Sequence, residues 1–116
     1  MENEKVFAMP FKSVFPLLIA KAEKKGRTRE EVYEVTSWLT GYPSAEIDQL
    51  LEESVSYGDF FRKAPHLNEN RDRIKGTICG VRVETIEDPL MREIRRLDKL
   101  VDELAKGKPM EKVLKY

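Results

Sequence analysis

One short segment holds the side chains of this sequence that are best suited to chemistry. Residues 76–89, GTICGVRVETIEDP, contain the single cysteine, Cys79, between two glycines. A cysteine can act as a nucleophile if a cation or a base lies nearby, and Arg82 or the single histidine, His66, could supply one. Free cysteine is, however, more often a buried apolar side chain, and its neighbours here are apolar. We therefore expect Cys79 in the core, and an enzyme that uses Cys79 or His66 in a cleft is the alternative.

The sequence offers no ligand set for a metal and no motif for a cofactor. One histidine and one cysteine exclude multi-histidine and zinc-type sites. The acidic residues Glu84, Glu87 and Asp88 match no calcium loop. The glycines of KGTICGV differ from a phosphate loop, because the next predicted helix begins nine residues after Gly80. We expect no metal and no cofactor, and we assign no catalytic residue.

Four arginines form the most informative charged cluster. Arg92, Arg95 and Arg96 lie in the first half of a long predicted helix, where cations oppose the helix dipole, and Arg82 precedes them. The favoured interpretation is an ion-pair network with the acidic residues of 84–88, which ties this segment to the helix. The alternative is a binding site for an anion or an acidic partner, built from the same arginines.

A second basic cluster lies between the first two predicted helices, from Lys21 to Arg29. It lacks the aromatic side chains on which single-stranded nucleic acid stacks. A helix-turn-helix would place Glu30, Glu31 and Glu34 against phosphates, which would repel them. Binding of nucleic acid through the turn from Lys21 to Arg29 is therefore a disfavoured alternative.

Aromatic residues are a further candidate for a binding site. Trp38 and Tyr42, with Tyr57, Phe60 and Phe61, could line a pocket for a small molecule. Aromatic residues at these spacings are more often part of the core, so the pocket is the weaker interpretation. The candidate binding residues are thus Arg82, Arg92, Arg95, Arg96, Trp38 and Tyr42.

Length and composition indicate one small domain, residues 1–116, with one core. The chain is 41% hydrophobic and 36% charged, which argues against disorder. Its 21 basic and 21 acidic residues cancel, so no global field would hold a polyanion. The start MENEKVFAMP lacks the features of a secretory signal, and the longest apolar run, residues 15–20, is too short to span a membrane. We expect a cytoplasmic protein.

Capping residues and apolar periodicity predict mostly short helices. Ser13, Ser44 and Asp88 are placed as N-caps, and Thr28 with Glu31 has the form of a capping box. The predicted helices and helical turns cover approximately residues 14–25, 29–39, 44–55, 59–64, 68–74, 89–106 and 109–114.

Residues 76–87 are the one plausible strand, and a lone strand forms no stable sheet. We therefore predict an all-α fold, a small orthogonal-type helical bundle in which residues 76–87 form an extended connector. Alternation along the connector should turn Ile78, Val81 and Val83 towards the core.

The longest predicted helix contains an apolar seam that would suit a coiled-coil dimer. The seam spans little more than two heptads, and Met91, Leu100 and Ala105 widen it to the breadth of a helix packed in a core. We predict that this helix is the central buried element of one bundle, and that any homodimer uses other surfaces. The seam consists of Leu90, Ile94, Leu97, Val101 and Leu104.

Several stretches carry a resemblance to a known family: WLTGY at 38–42, GTICGVRVE at 76–84, EDPLMREIRRLDKLVDELAKGKPMEKVL at 87–114, and FKSVFPLLIAKAEKKGRTREEV near the start. Through them the chain resembles the bacterial family known as domain of unknown function 2200 over nearly its whole length. The resemblance implies an orthogonal-type helical bundle and no activity, ligand or catalytic residue. We expect a module that binds a protein partner or a small anionic ligand rather than an enzyme.

Overall fold

The computed structural model describes residues 2–116, and within that range the chain forms seven α-helices and one short hairpin. The hairpin strands are β1, Thr77–Ile78, and β2, Val81–Arg82, and single 3₁₀ turns occupy Arg71–Arg73 and Val83–Thr85. The predicted all-α class is confirmed. The helices are α1 Glu2–Ala8, α2 Phe11–Glu23, α3 Arg29–Thr40, α4 Ser44–Leu50, α5 Tyr57–Arg62, α6 Pro89–Ala105 and α7 Met110–Val113.

The long helix α6 is the centre of the core, as predicted. Asp88 caps it by accepting a hydrogen bond from the Met91 amide at 2.9 Å, and Pro89 occupies the first turn, where no amide is needed. Helices α2, α3, α5 and α7 and strand β1 all pack against α6. Its apolar stripe is therefore covered by the chain itself, and Leu97 is fully buried.

Aromatic rings join α2, α5 and the segment after α3. Phe11 stacks on Phe60 with 4.1 Å between ring centroids, and Tyr42 stacks on the same ring at 4.7 Å. The Tyr42 hydroxyl donates a hydrogen bond to the Phe60 carbonyl at 2.7 Å, so its one polar group is satisfied inside the core.

Both ends of α3 follow the sequence prediction. The Thr28 side chain accepts from the Glu31 amide, and the Glu31 carboxylate accepts from the Thr28 amide at 2.9 Å, which makes a complete capping box. Gly41 ends the helix with a φ of 81°. The Cβ atom of any other residue at this position would lie 2.8 Å from the His66 backbone, so only glycine fits.

Two predicted N-caps and one predicted helix start are wrong. Ser13 lies inside α2, which begins at Phe11, and Ser44 is the first residue of α4 and makes no capping bond. Prolines at positions 10 and 43 occupy the cap positions, with φ near −65° and −67°, and lead the chain into each helix. Ser56 caps α5, so this helix starts before the predicted Asp59.

Helix α1 was not predicted. Its sequence, ENEKVFA, is short and mostly polar, and therefore lacks a periodic apolar stripe. Tertiary contact with α5 stabilises it instead.

We expect Thr28→Ala to lower the free energy of unfolding by about 1 kcal/mol, because it removes one half of the capping box. Urea denaturation followed by circular dichroism measures the change. Ser13→Ala is the matched control, since this exposed side chain caps nothing, and it should not lower stability, because alanine favours the helix. Equal effects of the two substitutions would contradict the structural role of the box.

Candidate functional site

The hairpin turns tightly at Cys79 and Gly80. Ile78 pairs with Val81 in an antiparallel register, so only two residues form the loop. Both have positive φ, 53° for Cys79 and 78° for Gly80, as a type I′ turn requires. Within residues 2–116, Cys79 is the one non-glycine residue with a positive φ.

The expectation that Cys79 is a core residue is wrong, because its side chain is exposed. That expectation requires one extended run over residues 76–87, whereas the turn directs Cys79 outward. Val81, predicted to face the core, is 46% exposed, while Ile78 and Val83 are buried as predicted. The Cys79 sulfur accepts a hydrogen bond from Arg95 Nη1 at 3.4 Å.

A groove of about 570 Å³ lies between α1, the hairpin and the start of α6. We call it the hairpin groove. Val6 and Ile86 are half-buried and Met91 is nearly buried, so the floor is apolar, and Val81 stands at its edge. Its lining residues are Asn3, Val6, Val81, Ile86, Glu87, Asp88, Met91 and Arg95.

The rim of the hairpin groove is acidic. Glu87 is exposed, and the Asp88 carboxylate serves as the cap of α6. The single cation of the lining, Arg95, donates from Nη1 to Asp98 Oδ2 at 3.0 Å as well as to Cys79. Asp98 balances the charge of Arg95, which leaves Glu87 as the exposed charged group of the lining.

The ion pair of Arg95 and Asp98 connects the hairpin to the interior. Burial raises the pKa of Asp98, although Arg95 and Lys21 act in the opposite direction. The fully buried Tyr57 hydroxyl has no hydrogen-bond partner, and burial raises its pKa well above the usual value, with smaller effects of Asp98 and Arg95. Through Arg95, this largely enclosed pair holds the Cys79 turn against α6.

The other candidate arginines have partners of their own. Arg92 donates to the Ile86 carbonyl at 2.7 Å and to the Glu87 carbonyl at 3.2 Å. Arg82 pairs with Glu84 at 2.8 Å. The segment before α6 is thus tied to the helix through backbone carbonyls and the Cys79 sulfur, whereas the Arg82 ion pair lies within the segment itself.

Arg96 belongs to a buried network that was not predicted from the sequence. Glu93 lies between Arg71, at 2.7 Å, and Arg96, at 3.1 Å, and both Glu93 and Arg96 are less than a tenth exposed. Glu93 lies on the same side of α6 as the apolar stripe. The sequence does not reveal that it is buried, because its partner Arg71 is distant along the chain.

The remaining candidates lie on other parts of the molecule. Tyr42 is buried against Phe60, and Trp38 is half-buried with its ring centroid 6.1 Å from that of Tyr116. His66 is exposed, and its amide donates to the Thr40 carbonyl at the end of α3, whereas Cys79 contacts α6. In the described part of the chain, no three His, Cys, Asp or Glu side chains are grouped to hold a metal ion.

Most of the basic turn between α2 and α3 contributes to the fold. Arg27 binds Glu31 and donates to the carbonyls of Leu104 and Lys108, at 3.0 and 2.6 Å, which fixes the turn to the end of α6. Arg29 pairs with Asp48 at 3.1 Å. These guanidinium groups are therefore already bound within the chain.

A family of proteins known as DUF2200, described as uncharacterized proteins conserved in bacteria, matches residues 5–115. The chain belongs to this family. A solved crystal structure, that of the uncharacterized protein SP1917, is 55% identical in sequence and superposes with a TM-score of 0.93, covering 97% of this chain and 92% of the other. No curated protein matches the sequence.

None of the helices formed by residues 2–116 has both the length and the apolar character needed to cross a bilayer.

We expect Cys79 to react with a maleimide in the native protein, within roughly tenfold of the rate in denaturant, because the thiol is exposed. Mass spectrometry at timed intervals gives both rates. A Leu97→Cys, Cys79→Ser variant is the control, since a thiol at the fully buried position 97 should react only after unfolding. Strong protection of Cys79 would show that the turn is covered or folded differently.

Proposed function

We propose that this protein is a protein-interaction module, and that its hairpin groove binds a partner segment carrying apolar and basic side chains. One observation carries the proposal: the groove combines an apolar floor of Val6, Ile86 and Met91 with a rim that carries the exposed Glu87 carboxylate. Apolar side chains of a partner would cover this floor and exclude water from it. Basic side chains next to them would be attracted by the Glu87 carboxylate.

The same geometry favours a protein segment over a small anionic ligand. Arg95, the one cation among the lining residues, is already paired with Asp98 and the Cys79 sulfur. An anion in the groove would compete with Asp98 for that guanidinium and would be repelled by Glu87. Arg82 and Arg96 are paired with Glu84 and Glu93, and the hydrogen-bond donors of Arg92 are engaged by the Ile86 and Glu87 carbonyls behind the groove.

Catalysis and nucleic-acid binding have less support. The enzyme alternative needs Cys79 or His66 in a cleft beside a charged partner. Cys79 is exposed beside Arg95, but neither Cys79 nor His66 lines the hairpin groove. Nucleic-acid binding needs a continuous basic face at the Lys21 to Arg29 turn, where Arg27 and Arg29 are engaged by Glu31 and Asp48.

We further propose that the protein acts in the cytoplasm. Cys79 is a free and exposed thiol at the tip of a turn, and such a thiol persists in a reducing compartment.

Selection of random 12-residue peptides displayed on phage tests the proposed function. We expect the native protein to enrich peptides in which large apolar residues are flanked by lysine or arginine. Val81→Glu should abolish their binding, because it adds a charge at the edge of the apolar floor. Isothermal titration calorimetry with synthetic copies of the enriched peptides measures the loss.

Ala45→Glu is the matched control, since Ala45 is exposed on α4, outside the hairpin groove. It should leave peptide binding unchanged. Enrichment of acidic peptides, or binding that survives Val81→Glu, would overturn the proposed function.

A further inference from the structure

We infer that the hairpin groove binds the outward face of α2 of a second copy of this chain, in a dimer with two-fold symmetry. This inference rests on the proposed function, because it identifies the partner segment that the groove accepts. Three features of the surface support it: the chemistry of α2, its position beside the groove, and the charges of the two surfaces.

The outward face of α2 has the chemistry that the hairpin groove selects. Leu17 is 64% exposed, the highest value for a large apolar side chain in residues 2–116. Lys21 and Lys24 follow it at helical spacing on the same face, and the exposed residues Ser13 and Ala20 beside it are small. A large apolar side chain therefore projects into solvent with the exposed Lys24 on the same face, while Lys21 is paired within the chain.

The α2 face and the hairpin groove lie on either side of one ion pair. From the hairpin side, Cys79 contacts Arg95, which pairs with Asp98. From the α2 side, Lys21 pairs with Asp102 at 3.3 Å, one turn after Asp98 on α6. Leu17 precedes Lys21 by one turn, about 6 Å along α2, so it lies on the same side of α2 as the residue that bonds α6.

This arrangement permits a closed dimer. A two-fold axis passing near the pair of Arg95 and Asp98 would bring Leu17 of each copy over the hairpin groove of the other. Lys24 of one copy would then approach the acidic rim at Glu87 of the other, which favours this orientation. Both exposed apolar side chains at this surface, Leu17 and Val81, would be removed from water.

Sedimentation equilibrium of the full chain, from about 1 μM to about 1 mM, tests the inference. We expect a reversible monomer–dimer equilibrium for the wild type. Leu17→Glu and Val81→Glu should each weaken dimerisation by at least about tenfold, since each puts a charge into an apolar contact. Ala45→Glu is the control and should dimerise as the wild type does, and circular dichroism verifies that every variant is folded.

A charge exchange tests the orientation. Lys24→Glu and Glu87→Lys should each weaken the dimer, and the double variant should regain most of the wild-type affinity, because the attraction is restored with reversed signs. A double variant whose loss is the sum of the two single losses would overturn the proposed orientation.

The outcomes separate this inference from the proposed function. A wild type that stays monomeric to about 1 mM, while selected peptides still bind in the groove, would overturn the dimer and leave the interaction module standing. A dimer that persists in both Leu17→Glu and Val81→Glu would show that copies meet at another surface. Failure of both dimerisation and peptide binding would overturn both proposals.

Discussion

The burial of α6 on several sides is the constraint on which the rest of the structure depends. Helices from both halves of the chain, together with the hairpin, cover its apolar stripe. Leu97 and Val101 are fully buried, and burial of such side chains supplies most of the stabilisation of a small domain. Because the chain itself covers this stripe, α6 cannot also serve as a coiled-coil seam, and association must use outer surfaces.

The polar contacts at the edge of α6 explain why the hairpin has its position. Arg92 and Lys99 donate to the carbonyls of Ile86 and Thr77, and so satisfy backbone groups of a segment too short to form a larger sheet. Glycine suits position 76, because its φ is 117° and the Cβ atom of any other residue would lie 3.2 Å from the Lys99 ammonium. The hairpin groove is a consequence of this placement, because the hairpin and α1 flank the first turns of α6 without filling the space between them.

Features controlled by local chemistry could be predicted from the sequence, and features controlled by distant contacts could not. The capping box at Thr28 and the Asp88–Pro89 start of α6 depend on neighbouring residues, and both were predicted correctly. The turn at Cys79 was missed because cysteine seldom adopts a positive φ, so the sequence lacks the usual Asn-Gly or Asp-Gly signal. Of the candidate binding residues, only Arg95 lines the hairpin groove. The groove forms between residues 3–6 of α1 and residues 81–95, and it could not be foreseen because α1 itself was not predicted.

The most direct test of a core centred on α6 is the fold of the Leu97→Asp variant, measured by near-ultraviolet circular dichroism and sedimentation. If α6 is the core of one chain, an unpaired carboxylate at position 97 costs several kcal/mol, a large part of the stability of a domain of this size. We predict an unfolded chain without a near-ultraviolet signal or a cooperative melting transition. A folded monomer obtained from a wild-type dimer would contradict this prediction, because position 97 would then belong to an interface between copies rather than to the core.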